Sequence, residues 1–145
     1  MIINDENIKY MKRQLSDYGY YTKKIKECDA KIADIILRKK DLYKASGIRY
    51  DEPISSSDPH FSAIQNLINE EGVQEDIMDE WIDKRNSLKL DHLLERLSNE
   101  LYELIDLKFF DELTYEYIAV NKQYNNVDTV KRKIKKAIKF LVKNY

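Results

Sequence analysis

Residues 113–145 read LTYEYIAVNKQYNNVDTVKRKIKKAIKFLVKNY, and this stretch has the pattern of two helices joined by a short turn. Its second half carries apolar residues at intervals of four, three and four: Val130, Ile134, Ala137 and Leu141. That spacing predicts an amphipathic helix. Upstream, Thr114 can cap a short helix whose apolar face contains Ile118 and Ala119. The intervening QYNN, residues 123–126, tolerates the positive φ of a turn, so the sequence predicts a helix-turn-helix.

The positive charge of the chain is concentrated in the same stretch. Residues 113–145 carry a net charge of about +6, whereas the whole chain has a formal net charge of −1. A basic end on an otherwise acidic protein is typical of modules that bind phosphates. If the second helix enters a major groove, its start and its basic side chains meet the DNA. The predicted DNA-binding residues are therefore Asn125, Asn126, Asp128, Thr129, Lys131, Arg132, Lys133, Lys135, Lys136 and Lys139.

The same residues resemble the helix-turn-helix of sigma factor region four. Residues 113–119, LTYEYIA, are similar to that family's L-S-Y-E-E-I-A, and residues 129–141 follow its T-V-x-x-x-L-x-x-A-x-x-x-L pattern. The similarity covers about a quarter of the chain. It departs in the turn, which has one extra residue and Gln123 near the position of the usual glycine. The resemblance implies that double-stranded DNA is the partner of this unit.

The organisation of the whole chain is similar to that of small phage late-gene transcription regulators of Gram-positive hosts, of the ArpU, RinA and LtrC type. The shared features are a long helical N-terminal half, a Pro/Ser linker and a sigma-like C-terminal end. This second resemblance rests on architecture. It implies activation of phage late genes through host RNA polymerase.

The composition indicates an all-α protein. Only three Gly and two Pro occur in 145 residues, and 35% of the residues are charged. Such a scarcity of helix breakers favours long helices with wide solvated faces. We therefore expect a long N-terminal helical or coiled-coil segment followed by the helix-turn-helix.

The first helix is expected to run from about Asp5 to Ser46, with Asn4 as its cap and Gly47 as its stop. Gly19 is a point where it could kink or begin afresh. Apolar residues near a heptad spacing follow this helix: Met11, Tyr18, Tyr21, Ile25, Cys28, Ile32, Ile35 and Leu42. This heptad seam predicts pairing with another helix, and we expect a homodimer formed through the residues from Tyr18 to Leu42. The alternative is that the helix folds back on residues 76–110 of the same chain.

The middle of the chain divides at a loop. Residues 47–58 contain Gly, Pro and three serines, and Asp58 can cap a short helix that ends at Gly72. From about 74 to 111 no breaker occurs, which predicts one long amphipathic helix or two nearly collinear ones. The predicted regions are 1–72 for oligomerisation or partner contact, 73–112 for connection and support, and 113–145 for DNA binding.

Several function classes lack the residues they need. His60 and His92 are the only histidines, neither lies in a ligand-spaced cluster, and no glycine-rich phosphate loop occurs, so we expect no enzyme, metal or cofactor. The longest apolar run has about four residues, far short of a membrane span. The N-terminus lacks the order of a signal peptide and Cys28 is the single cysteine, so we expect a location in the bacterial cytoplasm.

A second function class uses the same patterns. The chain could be a coiled-coil interaction or adaptor protein whose basic C-terminal helix binds an acidic protein partner. The response of duplex DNA binding to salt separates the two classes, because only the DNA-binding protein releases counterions from phosphates.

Overall fold

The computed structural model describes all 145 residues, and all of its regular secondary structure is helical. The helices are α1 (Asp5–Ala45), α2 (Phe61–Ser87), α3 (Asp91–Glu95), α4 (Asn99–Ile105), α5 (Tyr115–Asn121) and α6 (Val127–Asn144). A π-helical turn, Asp106–Phe110, follows α4 directly. The all-α class with a long N-terminal helix is therefore confirmed. None of the helices combines the length and the apolar character needed to cross a membrane.

The two ends of α1 lie where the sequence predicts them. The Asn4 Oδ1 accepts a hydrogen bond from the backbone N–H of Asn7 at 2.8 Å, which is the interaction of a helix cap. After Ala45 the chain turns at Gly47, whose φ of +72° is the left-handed conformation that commonly ends helices.

No new helix begins at Gly19, so that part of the expectation is wrong. The helix is continuous through Gly19, which lies against the π-helical turn. A β-carbon built on Gly19 would lie 2.8 Å from Phe110 Cα and 2.9 Å from the Phe109 carbonyl oxygen. The absence of a side chain at Gly19 therefore lets two backbones approach closely.

The boundaries of α2 differ from the prediction at its C-terminal end. Asp58 Oδ1 accepts the backbone N–H of His60 at 2.8 Å, as a capping residue does, and the helix begins at Phe61. The predicted stop at Gly72 is wrong, because α2 continues through it to Ser87. Unlike Gly47, Gly72 does not have the positive φ that a helix-ending glycine adopts.

The segment predicted as one long helix or two collinear helices is broken twice, so that prediction is also wrong. Lys89 has a φ of +56° and separates α2 from the five-residue α3. Ser98 then caps α4, with its hydroxyl accepting the backbone N–H of Leu101 at 3.3 Å. The helix start at Ser98 could have been predicted, because serine is a preferred capping residue. The break at Lys89 could not, because lysine rarely adopts the left-handed conformation.

The chain forms two compact units. The first unit contains residues 1–23 and 83–145, and its core takes apolar residues from α1, α3, α4, the π-helical turn, α5 and α6. Fully buried members of this core are Met11, Leu15, Leu90, Leu104, Ile105, Ile118, Val130, Ile134, Ala137, Ile138, Leu141 and Val142. Tyr18 packs against one side of this core, and its hydroxyl donates a hydrogen bond to Asp91 Oδ1 at 2.6 Å. Burial, and then this hydrogen bond, raise the pKa of Tyr18 well above its usual range.

The second unit contains residues 24–82. It buries apolar side chains of α1 and α2: Cys28, Ile35, Tyr43, Ile64 and Leu67. Lys39 is also buried, and its ammonium lies 2.5 Å from Glu71 Oε2. Burial alone lowers the pKa of Lys39, but hydrogen bonds with Glu71 and Tyr50 outweigh it and raise the pKa. The unit boundaries fall at other positions than the region boundaries predicted after residues 72 and 112.

Candidate nucleic-acid interface

The first helix of the C-terminal pair, α5, begins and packs as the sequence predicts. Thr114 has extended backbone angles, and its hydroxyl accepts the backbone N–H of Tyr117 at 3.1 Å. Ile118 and Ala119 are buried against the core, whereas Val120 on the opposite side is 80% exposed. This helix therefore positions α6 through a small apolar contact.

The turn between the two helices contains one strained residue. Gln123 has a φ of +58°, near the position where the sigma pattern has glycine. The following N–H, from Tyr124, donates to the Ala119 carbonyl at 2.8 Å and closes the end of α5. A left-handed conformation without glycine costs about 1–2 kcal/mol. The turn thus places a glutamine in the left-handed conformation that glycine adopts at least cost.

Helix α6 begins at a capped residue and buries the predicted apolar stripe. Asn126 Oδ1 accepts both the backbone N–H and the hydroxyl of Thr129, each at 2.9 Å. All four predicted stripe residues are buried, and Ile138 and Val142, which the spacing pattern did not include, are buried beside them. With six buried positions the helix is fixed in its rotation about its own axis.

The opposite side of α6 is a continuous row of cations. The basic stripe consists of Arg132, Lys136, Lys139 and Lys143. All four are exposed and recur at intervals of four, three and four, two residues out of phase with the buried stripe. Two residues turn a helix by about 200°, so the basic stripe faces directly away from the core. None of the four takes part in an ion pair.

One flank of α6 is tied to α4 by ion pairs. Lys133 donates a hydrogen bond to Glu100, which also accepts the Tyr124 hydroxyl at 2.9 Å. Lys122, in the turn, lies 2.8 Å from Glu103. The hydrogen bonds from Lys133 and Tyr124 lower the pKa of the Glu100 carboxyl. Burial and the bond to Glu100 raise the pKa of Tyr124 to about 12.

The other flank of α6 faces α5 and the start of α1. The Lys131 ammonium lies 5.4 Å from the centre of the Tyr115 ring, and the Lys108 ammonium lies 4.2 Å from it. Both distances are within the range of cation–π attraction. Lys135 lies on the same flank without an ion pair. The cations of α6 thus fall into three groups: Lys133, which is ion-paired with α4; Lys131 and Lys135, which lie on the flank next to Tyr115; and the basic stripe.

The structure places the predicted DNA-binding residues in different situations. Asn125 and Asp128 are exposed at the start of α6, whereas Asn126 and Thr129 are hydrogen-bonded to each other in the helix cap. Lys133 is held by Glu100, and the remaining predicted cations are exposed: Lys131, Arg132, Lys135, Lys136 and Lys139. The predicted set omitted Lys143, whose position in the basic stripe follows from the same spacing.

The seam predicted for oligomerisation is buried or half-buried within one chain. Met11 lies in the core of the first unit and Tyr18 at its edge. In the second unit Cys28 and Ile35 are buried, and the half-buried members are Ile25, Ile32 and Leu42. Tyr21 is half-buried in the first unit. The alternative, packing against residues 76–110, holds at Tyr18, which contacts Asp91 and Phe110, but the second unit buries Ile64 and Leu67 of α2 with the seam. The homodimer stays a prediction.

No family model, curated protein or solved structure matches this chain.

Proposed function

We propose that this protein binds duplex DNA sequence-specifically through α6 and acts as a transcription regulator. The observation that carries the proposal is the basic stripe, Arg132 to Lys143, on the face of α6 opposite the core. A helix with its side chains is about 10–12 Å wide, and the major groove of B-DNA is about 12 Å wide. The stripe therefore has the shape and charge of a surface that enters this groove.

A lysine-rich face can also be merely solvated, but two features favour a ligand here. The acids of the nearby α4 form ion pairs with Lys122 and Lys133 at the flank, so no member of the basic stripe forms an ion pair and only Lys136 is attracted through space to Glu100. In addition, the stripe lies on the second helix of a capped helix-turn-helix, whose turn and first helix hold it in a fixed rotation. Phosphates are the counter-ions that such a row attracts most strongly on a nucleic acid.

The start of α6 offers groups that can read bases. Asn125 and Asp128 are exposed there, and the cap leaves the Asn126 Nδ2 group available as a donor. Amide side chains bind adenine edges, and carboxylates accept from cytosine. Arg132, one turn further along, is the side-chain type that most often binds guanine. The proposed division of roles is base contact at residues 125–132 and phosphate contact beyond.

The biological role proposed is activation of phage late genes together with host RNA polymerase. This part rests on the sequence resemblances to sigma region four and to the small phage regulators. A sigma-like helix-turn-helix on a chain of 145 residues has room for one further contact region beside the DNA-binding unit.

Selection from a pool of random duplexes tests the proposal. We expect wild-type protein to enrich a defined sequence, and the variant Arg132→Ala/Lys136→Ala/Lys139→Ala to enrich none. The matched control is Lys26→Ala/Lys31→Ala/Lys44→Ala, which removes three exposed lysines of α1 and the same total charge. Equal enrichment by all three proteins, or none by wild type, would contradict the proposal. In the second case the adaptor function, with an acidic protein as partner, becomes the favoured one.

A further inference from the structure

A cleft of about 450 Å³ lies between the first turns of α1 and the helix-turn-helix. Its charged lining comes from two sides: Lys9 and Lys12 of α1 face Lys131 and Lys135 of α6. Tyr115 contributes an aromatic ring, and Asp5 is the single acid in the lining. All of these residues belong to the first compact unit.

The four lysines outnumber the one acid of the cleft, and none of them is in direct contact with it. None of them takes part in an ion pair, not even with Asp5, which lies one turn before Lys9 on the same helix. Gathering like charges raises the free energy of the folded protein unless an anion joins them. Lys131 is partly compensated by the face of Tyr115, and the other three cations face solvent. The cleft therefore concentrates positive charge, and binding of an anion there would lower the free energy of the protein.

The position of the cleft indicates which anion this is. Lys131 and Lys135 form the flank of α6 next to the basic stripe, so the positive surface continues from the stripe, across the cleft, to α1. When a helix lies in the major groove, the phosphate backbones run along both of its flanks. The other flank carries the acids Glu100 and Glu103, already paired with lysines, and offers less free charge.

We propose that the cleft binds the DNA phosphate backbone beside α6, with Lys9 and Lys12 of α1 as phosphate-contacting residues. The inference rests on the proposed DNA binding and extends it to a helix whose sequence pattern predicts oligomerisation. Lys9 and Lys12 contact phosphates, not bases, so they add affinity and fix the orientation of α6 without changing the selected sequence.

Salt titration of binding to the selected duplex tests the inference. The variant Lys9→Ala/Lys12→Ala should lower the slope of log affinity against log salt by about 1.8, since each neutralised phosphate contributes about 0.9. Between 50 and 200 mM salt, wild-type affinity should therefore fall about tenfold more than that of the variant. Lys9→Arg/Lys12→Arg should restore the wild-type slope. The control Lys26→Ala/Lys44→Ala removes the same charge from α1 outside the cleft and should leave the slope unchanged.

Ethylation interference on the same duplex locates the contact. We expect modified phosphates on one flank of the selected site to weaken the wild type and to lose this effect with Lys9→Ala/Lys12→Ala. A double variant with the wild-type slope and the wild-type interference pattern would overturn the inference while leaving DNA binding through α6 intact. An equal loss of slope in the Lys26/Lys44 control would also overturn it. Wild-type protein that binds no duplex would overturn both proposals.

Discussion

Lys133 of α6 donates a hydrogen bond to the carboxylate of Glu100 on α4, so this lysine is engaged by the protein itself. We expect Lys133→Ala to lower the melting temperature while changing the salt dependence of DNA binding less than Arg132→Ala does. Arg132 is exposed in the basic stripe and has no such partner. Thermal melts and salt titrations of the two variants compare these effects. A larger loss of salt slope in Lys133→Ala would assign Lys133 to the DNA instead.

The same ion pair makes a pH-dependent contribution to stability. The pKa of Glu100 is lowered in the folded protein, first by the hydrogen bond from Lys133 and then by that from Tyr124. Its contribution is therefore present above the ordinary pKa of a glutamate and is lost as the pH falls through the lowered value. We expect Glu100→Gln to melt below the wild type at pH 7, with the difference shrinking toward pH 3. A difference independent of pH would show that the carboxylate charge is not involved.

Two glycines of the chain should respond oppositely to alanine. Gly19→Ala places a methyl group against the backbone at Phe109 and Phe110, and such overpacking costs about 1–3 kcal/mol. Gly72 lies in α2 with nothing within 4 Å of an added β-carbon, so Gly72→Ala should stabilise by about 0.5–1 kcal/mol. Urea unfolding of both variants measures the two changes. Stabilisation by Gly19→Ala would mean that the contact with Phe110 is looser than described.

The core of the helix-turn-helix can be tested with a buried and an exposed position of the same helix. Ile118 is fully buried, whereas Val120 is 80% exposed. Ile118→Asp places an unpaired carboxylate in the core and should unfold the first unit. Val120→Asp should melt close to the wild type. Near-equal melting temperatures of these two variants, measured by circular dichroism, would contradict the packing of α5.

Burial of the heptad seam within one chain leads to a prediction about mass. Ile35 is 6% exposed, so Ile35→Asp should reduce helix content and not merely separate two chains. Light scattering at micromolar concentration should give the mass of one chain, 17.3 kDa, if the seam is used only within the chain, and twice that mass if the predicted homodimer forms. A mass of two chains would support the homodimer, and its retention in Ile35→Asp would place the dimer contact outside the seam.

The parts of the fold that the sequence predicts correctly are those set by local signals. Thr114 and Gly47 act through neighbouring backbone groups, so their residue types suffice. The misassigned parts depend on distant contacts or on unusual backbone. The prediction of a helix end at Gly72 rests on its residue type alone, although no Pro or Ser follows it closely as they follow Gly47, and Lys89 adopts a positive φ that its residue type disfavours.

The candidate site follows the same division. The basic stripe on α6 can be derived from residue spacing, because one helix contains all of it. The ion pair of Lys133 and the cleft at Lys9 and Lys12 could not be derived in this way. Glu100 lies 33 residues from Lys133, and Lys12 lies more than 100 residues before Lys131. Charge patterns within one element are visible in sequence, whereas pairing between elements requires the fold.

Salt titration of duplex DNA binding by wild-type protein and by Arg132→Ala/Lys136→Ala/Lys139→Ala is the most direct test of DNA binding through α6. We predict that wild-type affinity falls linearly on a log–log plot, with a slope of about −0.9 for each phosphate contacted. The triple variant, with unchanged helix content, should lose detectable binding at moderate salt. Binding by the variant with the wild-type slope, or a wild-type affinity that does not change with salt concentration, would contradict DNA binding through the basic stripe.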